Sequence, residues 1–153
     1  MIQMRNYFLL AAAGAMSLLS CTAMDQKKQT AQKTIKLQFN GSENTVITNP
    51  KFTVSLHGHD KFLVVAPATL ISEKEYEQKS VPFTIDLPIP DDAQNRINPK
   101  PAGPVNYYIT LKWDSNGDGQ VNKKGDLFID FDKKFPNVSL SGQTQEIYLK
   151  VLK

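Results

Sequence analysis

From residue 34 onward, apolar and polar side chains alternate with a period of two. In "TIKLQFNG", Ile35, Leu37 and Phe39 face one way, and Lys36 and Gln38 the other. Strict alternation is the signature of a strand with one face buried. The period recurs with Phe52, Val54 and Leu56, with Val81, Phe83, Ile85 and Leu87, and with Tyr107, Ile109, Leu111 and Trp113. Leu127, Ile129 and Phe131, then Ile147, Leu149 and Val151, continue it. "KFLVVAPATLI" is denser in apolar residues, which suits a strand buried on both faces or one that changes sheets at Pro67. "SEKEYEQK" is short and charged and reads as an exposed strand or loop.

Between these runs stand "FNGSEN", "TNPK", "LHGHDK", "DSNGDG" and "LSGQT", where Gly and Asn supply turn conformations. Many short strands and no long amphipathic stretch predict an all-β fold. The expected form is an antiparallel β-sandwich of about seven strands, immunoglobulin- or transthyretin-like. Its core is expected to include Leu37, Phe52, Val54, Phe83, Ile85, Ile109, Leu111, Trp113, Ile129 and Leu149. The proline-rich "PIPDDAQNRINPKPAGP" is the longest irregular segment, a crossover or a binding loop, with Ile97 tucked under it as a plug.

The amino end obeys a different rule. Arg5 precedes the apolar run "YFLLAAAGAMSLL", too short to span a bilayer and stay, so residues 1–20 read as a signal peptide. "LLSC" resembles a bacterial lipobox, with Leu18 at its apolar position, Ser20 before the cut and Cys21 as acceptor. That resemblance implies diacylglycerol on the Cys21 sulfur and an N-acyl chain on the new amino terminus. Two or more chains make a stable membrane anchor, whereas one holds only marginally. Thr22, not Asp, follows Cys21, which in related lipoproteins implies the outer membrane, here with the domain in the periplasm. Residues 21–33 are polar, without Gly or Pro, and read as a flexible tether. Residues 34–153 form one domain.

Composition narrows the chemistry. Cys21 is the only cysteine, so the mature domain has neither disulfide nor thiol nucleophile. Net charge is +3, and removal of the leader takes away one basic residue, Arg5, leaving +2. Nothing in this balance argues for nucleic acid. No serine sits in a nucleophile elbow, no glycine-rich phosphate loop appears, and Asp91 and Asp92 lack a basic partner nearby in sequence. The chain therefore reads as a non-enzyme, with a periplasmic hydrolase using His57 with Asp91 or Asp92 as the lesser alternative.

The most specific motif in the domain is "DSNGDGQVNKKGD". Asp114, Asn116 and Asp118 take the first, third and fifth places of a D-x-[DN]-x-[DN]-G run, the oxygen-rich pattern that a hard cation such as Ca²⁺ requires. The Gln120 carbonyl would be a fourth ligand, Val121 would anchor the loop to the core, and Asn122 stands at the ninth place. The twelfth place is Gly125, so Asp126 is the candidate closing carboxylate. The competing reading is a polar hairpin turn in which Asp and Asn bond their own backbone. "HGHD", residues 57–60, sets two His on one side of a strand end with Asp60 beside them. A metal there competes with a simple glycine turn.

"ATLISEKEYEQKSVPFTIDLPIP" followed by "YYITLKWD", behind an anchored tail and an opening strand, resembles the YbaY-type lipoprotein domains. Those are similar to the pilotins of type III secretion systems. The resemblance covers much of residues 34 to 113, and the 114–126 loop departs from it. It implies a small β-sandwich without a catalytic site, an accessory, chaperone-like or scaffolding lipoprotein of the envelope with a protein partner there. A calcium-dependent ligand-binding module is the alternative. Exposure of Phe62, Tyr76, Tyr108 or Phe128 would favour a protein partner.

Overall fold

The structure, a computed structural model, describes residues 32–41, 44–63 and 67–153. The leader, Cys21 and most of the tether lie outside them, as do Val64, Val65 and Ala66 of the dense apolar run. The strands are β1 (Thr34–Asn40), β2 (Lys51–Asp60), β3 (Thr69–Glu77), β4 (Phe83–Pro88), β5 (Val105–Trp113), β6 (Leu127–Ile129), β7 (Asn137–Val138) and β8 (Gln145–Val151). One short 3₁₀ turn, Ala93–Arg96, interrupts the β4–β5 connection. Two four-stranded sheets result, ordered β4-β1-β8-β6 and β3-β2-β5-β7.

This is the all-β sandwich that the alternation predicts, with all ten expected core residues buried between the sheets. Phe39 and Phe83 of one sheet stack at 4.9 Å, Phe52 and Trp113 of the other at 4.6 Å, and Phe52 meets Phe83 across the interface at 5.3 Å. The Trp113 indole N–H donates to the Asn49 carbonyl at 2.8 Å, so its one polar atom is satisfied inside the core.

Four details depart from the expectations. First, β1 and β8 pair in parallel, Phe39 opposite Ile147. No tight turn joins the first and last strands, so nothing local forces them to run antiparallel. Second, β7, two residues long, has no counterpart among the predicted strands, whereas "SEKEYE" lies in the exposed edge strand β3, in keeping with its reading. Third, the apolar run is not one buried strand: Lys61–Leu63 form a turn, with Phe62 71% exposed. Fourth, β6 ends at Ile129, and Phe131 stands in the open.

Ile97 is buried as the plug, and Gly58 is what admits it. Gly58 is not in a turn but in β2, opposite Tyr107 and Thr69. A Cβ there would stand 3.0 Å from Ile97 Cδ1 and 3.1 Å from the Tyr107 ring. The edges of the two sheets are tied by side chains: the Ser72 hydroxyl donates to the Pro88 carbonyl at 2.8 Å and the Tyr76 hydroxyl to the Asp86 carbonyl at 2.7 Å. Edge groups that would otherwise template another strand are thereby partly occupied.

Candidate functional site

The acidic loop is a self-bonded turn. Asp114 Oδ1 accepts the N–H groups of Gly117 and Asp118, each at 3.0 Å, and its Oδ2 accepts Gly119 N–H at 3.0 Å. Asp118 Oδ1 accepts Gln120 N–H at 2.8 Å, and Asn116 Oδ1 accepts Asp118 N–H at 3.0 Å. Among the described residues, no three His, Cys, Asp or Glu side chains are grouped to hold a metal ion. Asp126 is fully buried, its two oxygens accepting the N–H groups of Asn116 at 3.3 Å and Lys123 at 2.8 Å.

Val121 does not anchor the loop, being half exposed; Asn122 does, by turning its amide onto β5. Asn122 has φ +56°, a left-handed conformation that Asn tolerates better than most residues. Gly125 is also left-handed, at φ +95°, and a Cβ there would meet Asn116 Nδ2 at 2.7 Å. The twelfth place is glycine because backbone and neighbour both require it.

The three polar side chains of the histidine motif each bond elsewhere rather than to a common point. His57 Nε2 lies 3.1 Å from the Thr110 hydroxyl, and His59 Nδ1 lies 2.9 Å from the Asp60 carbonyl. Asp60 is turned inward and buried, accepting N–H from Phe62 at 2.8 Å, Ala102 at 2.8 Å and Gly103 at 3.2 Å. Those amides, Phe62 first, hold its carboxyl below the usual carboxylate range despite its burial. Asp60 thus pins two loops together. Asp92 does have a basic partner, Arg96, four residues on at 2.8 Å, and the His57 ring meets the Thr110 hydroxyl.

What the chain assembles on the outer face of β2 and β5 is aromatic. The His57 ring stacks on Tyr108 at 5.3 Å, and His59 meets Tyr108 edge-on at 6.1 Å. Tyr108 contacts Phe135 at 6.3 Å, Phe135 contacts Phe131 at 5.7 Å, and Phe131 contacts Phe128 at 5.6 Å. A groove of about 520 Å³ runs between them, lined chiefly by His59, Lys61, Leu63, Tyr108, Phe131 and Phe135. Phe135 is 54% exposed and Phe131 44%. The sequence points to Tyr108 and Phe128; it reads Phe131 only as the last apolar position of a half-buried strand, and it does not single out Phe135. The visible signal was that "FDKKF" interrupts the period of two.

No family model matches this chain, and no curated protein matches it. Among solved structures it is similar to an alternative pilotin from the type II secretion system of Vibrio cholerae. That match has a TM-score of 0.52 at 16% identity, covering 78% of this chain and 96% of that one. At this identity the likeness establishes a shared fold.

Proposed function

We propose that this protein is an accessory lipoprotein of the bacterial outer membrane, held by lipid on Cys21, whose sandwich binds a protein partner rather than catalysing a reaction. The observation that carries the reading is the groove faced by Tyr108, Phe131 and Phe135. Aromatic side chains left in the open at this density, beside a groove of ligand size, are typical of binding surfaces. Lys61 lines the groove, while Lys133 and Lys134 of the phenylalanine-bearing loop turn to the Tyr148 ring at 4.0 Å and the Glu146 carbonyl at 3.4 Å, and Asp130 and Asp132 pair with Lys150. The partner this chemistry suits is an apolar, aromatic-rich segment. The fold shared with a pilotin supports an envelope component of a secretion system as the source of that segment.

The test is site-specific photocross-linking in cells from position 135 and, as a control, from position 36 on the other sheet. The reading requires capture of one envelope protein at 135 alone, lost when Tyr108 and Phe131 become Ser. Equal capture at both positions, or a turnover product from the purified domain, would defeat it. For the anchor, Cys21→Ala should release the protein into the soluble periplasmic fraction.

A second reading concerns the 114–126 loop: a weak structural calcium site built from Asp114, Asn116, Asp118 and the Gln120 carbonyl, closed by Asp126. What favours it is Asp126, a fully buried carboxylate with no ion pair among the described residues. Buried charge is costly unless compensated, and a divalent ion would supply the compensation.

A further inference from the structure

The end of the sandwich that carries β1's first residue also carries Phe62, whose side chain is largely exposed. Lys33 accepts Ile89 N–H on its carbonyl at 2.8 Å, and Thr34 pairs with Pro88, so the chain enters the fold at the end where β4 finishes. Ser72 of β3 bonds Pro88, and Thr69, three residues earlier, bonds Asn98 through its hydroxyl. Gly58 pairs with Thr69, which puts the turn beyond Asp60 at this same end. Phe62, Leu63 and Leu70 are exposed there, at 71%, 41% and 51%.

Phe62 sits on a braced turn, Leu63 at the rim of the groove, and Leu70 opposite His57. Asp60 ties the Phe62 turn to Ala102 and Gly103, Lys61 N–H donates to the Pro104 carbonyl at 2.8 Å, and the Phe62 ring lies over Gly103. A Cβ at Gly103 would stand 3.0 Å from that ring. Lys33, Lys61 and Lys100, on the segments that meet at this end, are exposed. The acidic groups at this end are Asp60, buried in its own hydrogen bonds, Asp92, paired with Arg96, and Asp91. An apolar tip with exposed lysines that form no salt bridge among the described residues is the chemistry of a surface that rests at a bilayer interface, apolar groups among the acyl chains and ammonium groups on lipid phosphates.

We propose that the Phe62–Leu63–Leu70 end of the domain rests on an anionic phospholipid surface, which fixes how the anchored domain faces its partner. This rests on the lipid-anchor reading above. Its occupant is a bilayer because the chain leaves this very end towards Cys21, within a tether of thirteen residues counted from Cys21 to Lys33. The groove on the outer face of β2 and β5 would then open sideways, parallel to the membrane, and the 114–126 loop would point away from it.

The test uses residues 31–153, which contain the whole core and form a compact unit of their own. The domain is presented on vesicles through an N-terminal histidine tag and a chelating lipid, so the outcome does not depend on lipidation in the cell. Cys21 is absent from this piece, so Leu63→Cys and Val121→Cys each offer one site for a polarity-sensitive fluorophore. On phosphatidylglycerol-containing vesicles the probe at 63 should shift to the blue and be quenched by brominated acyl chains, while the probe at 121 stays water-like. Lys61→Glu with Lys100→Glu, or Phe62→Ser, should return the probe at 63 to its water-like emission. Water-like emission at both positions, or quenching at 121 instead, overturns the proposal. So does a blue shift at 63 that needs no vesicles and grows with protein concentration, which would assign the patch to a second copy. Failure of the anchor itself would show separately, as Cys21→Ala leaving fractionation unchanged.

Discussion

Asn122 pairs with Trp113 as a strand neighbour would: its Oδ1 accepts the Trp113 N–H at 3.0 Å, and its own N–H donates to the Trp113 carbonyl at 3.2 Å. Its Nδ2 also donates to the Leu111 carbonyl at 3.0 Å. One side chain thus extends the β5 ladder where β5 runs out and fixes the start of the 114–126 loop. Asn122→Ala should therefore cost about 1 to 3 kcal/mol, since it leaves part-buried backbone groups unpaired and puts Ala at positive φ. Asn122→Gly relieves the φ and keeps the bond loss. Urea melts in which the glycine variant regains full stability would mean that backbone strain, not pairing, was the whole effect.

The core was legible because each strand buries one face, and period two marks that face directly: Ile35, Leu37 and Phe39 could hardly be read otherwise. The candidate site was less so. Asn122, Asp60 and Asp126 all read as surface polar residues or ligands, because a buried polar side chain bonded to backbone has no periodic signature. Phe131 misled for a related reason. It continues the period of Leu127 and Ile129, yet β6 ends before it, and only the tertiary arrangement decides where a ladder stops. The parallel β1–β8 pairing is likewise invisible to local pattern.

Trp113 should be the costliest single deletion in the core. It stacks on Phe52, meets Phe83 edge-on at 6.1 Å and is hydrogen-bonded to Asn49. Trp113→Ala is expected to lose about 3 to 5 kcal/mol. Trp113→Phe keeps the ring contact but orphans the Asn49 carbonyl, for a loss of about 1 to 2 kcal/mol. Equilibrium unfolding of both variants checks the order; equal losses would mean that the N–H bond dominates the packing.

The loop at 114–126 separates its two readings in a pair of thermal melts, with calcium and with chelator. A weak site of the extracellular-module type, at calcium near ~2 mM, adds on the order of 1 to 2 kcal/mol, or several degrees. Asp118→Ala should abolish that difference. A wild type that melts identically in both media would leave the loop as the polar turn its internal hydrogen bonds already make.

His57 gives the fold a mild acid sensitivity. Desolvation is the main reason its pKa lies below the usual histidine value, with Lys112 adding to the depression and Glu73 opposing it. The sign follows from proton counting. Below about pH 6.5 the unfolded chain takes up a proton that folded His57 still refuses, so stability falls as pH drops through the unfolded value and keeps falling until the depressed folded value is passed. Above that window the residue contributes no pH dependence. Carboxylates such as Asp60 and Asp130, whose pKa values are lowered, lose their contribution at more acid pH and do not overlap it. Denaturant melts at steps between pH 7.5 and 5 should show wild-type stability declining from about pH 6.5 downward, with His57→Gln giving a shallower slope. The comparison is of slopes, because glutamine also alters the stack on Tyr108 and the bond to Thr110 and shifts the whole curve. Parallel slopes in the two proteins would mean that His57 protonates as freely in the fold as outside it, and that the Tyr108 face does not desolvate it.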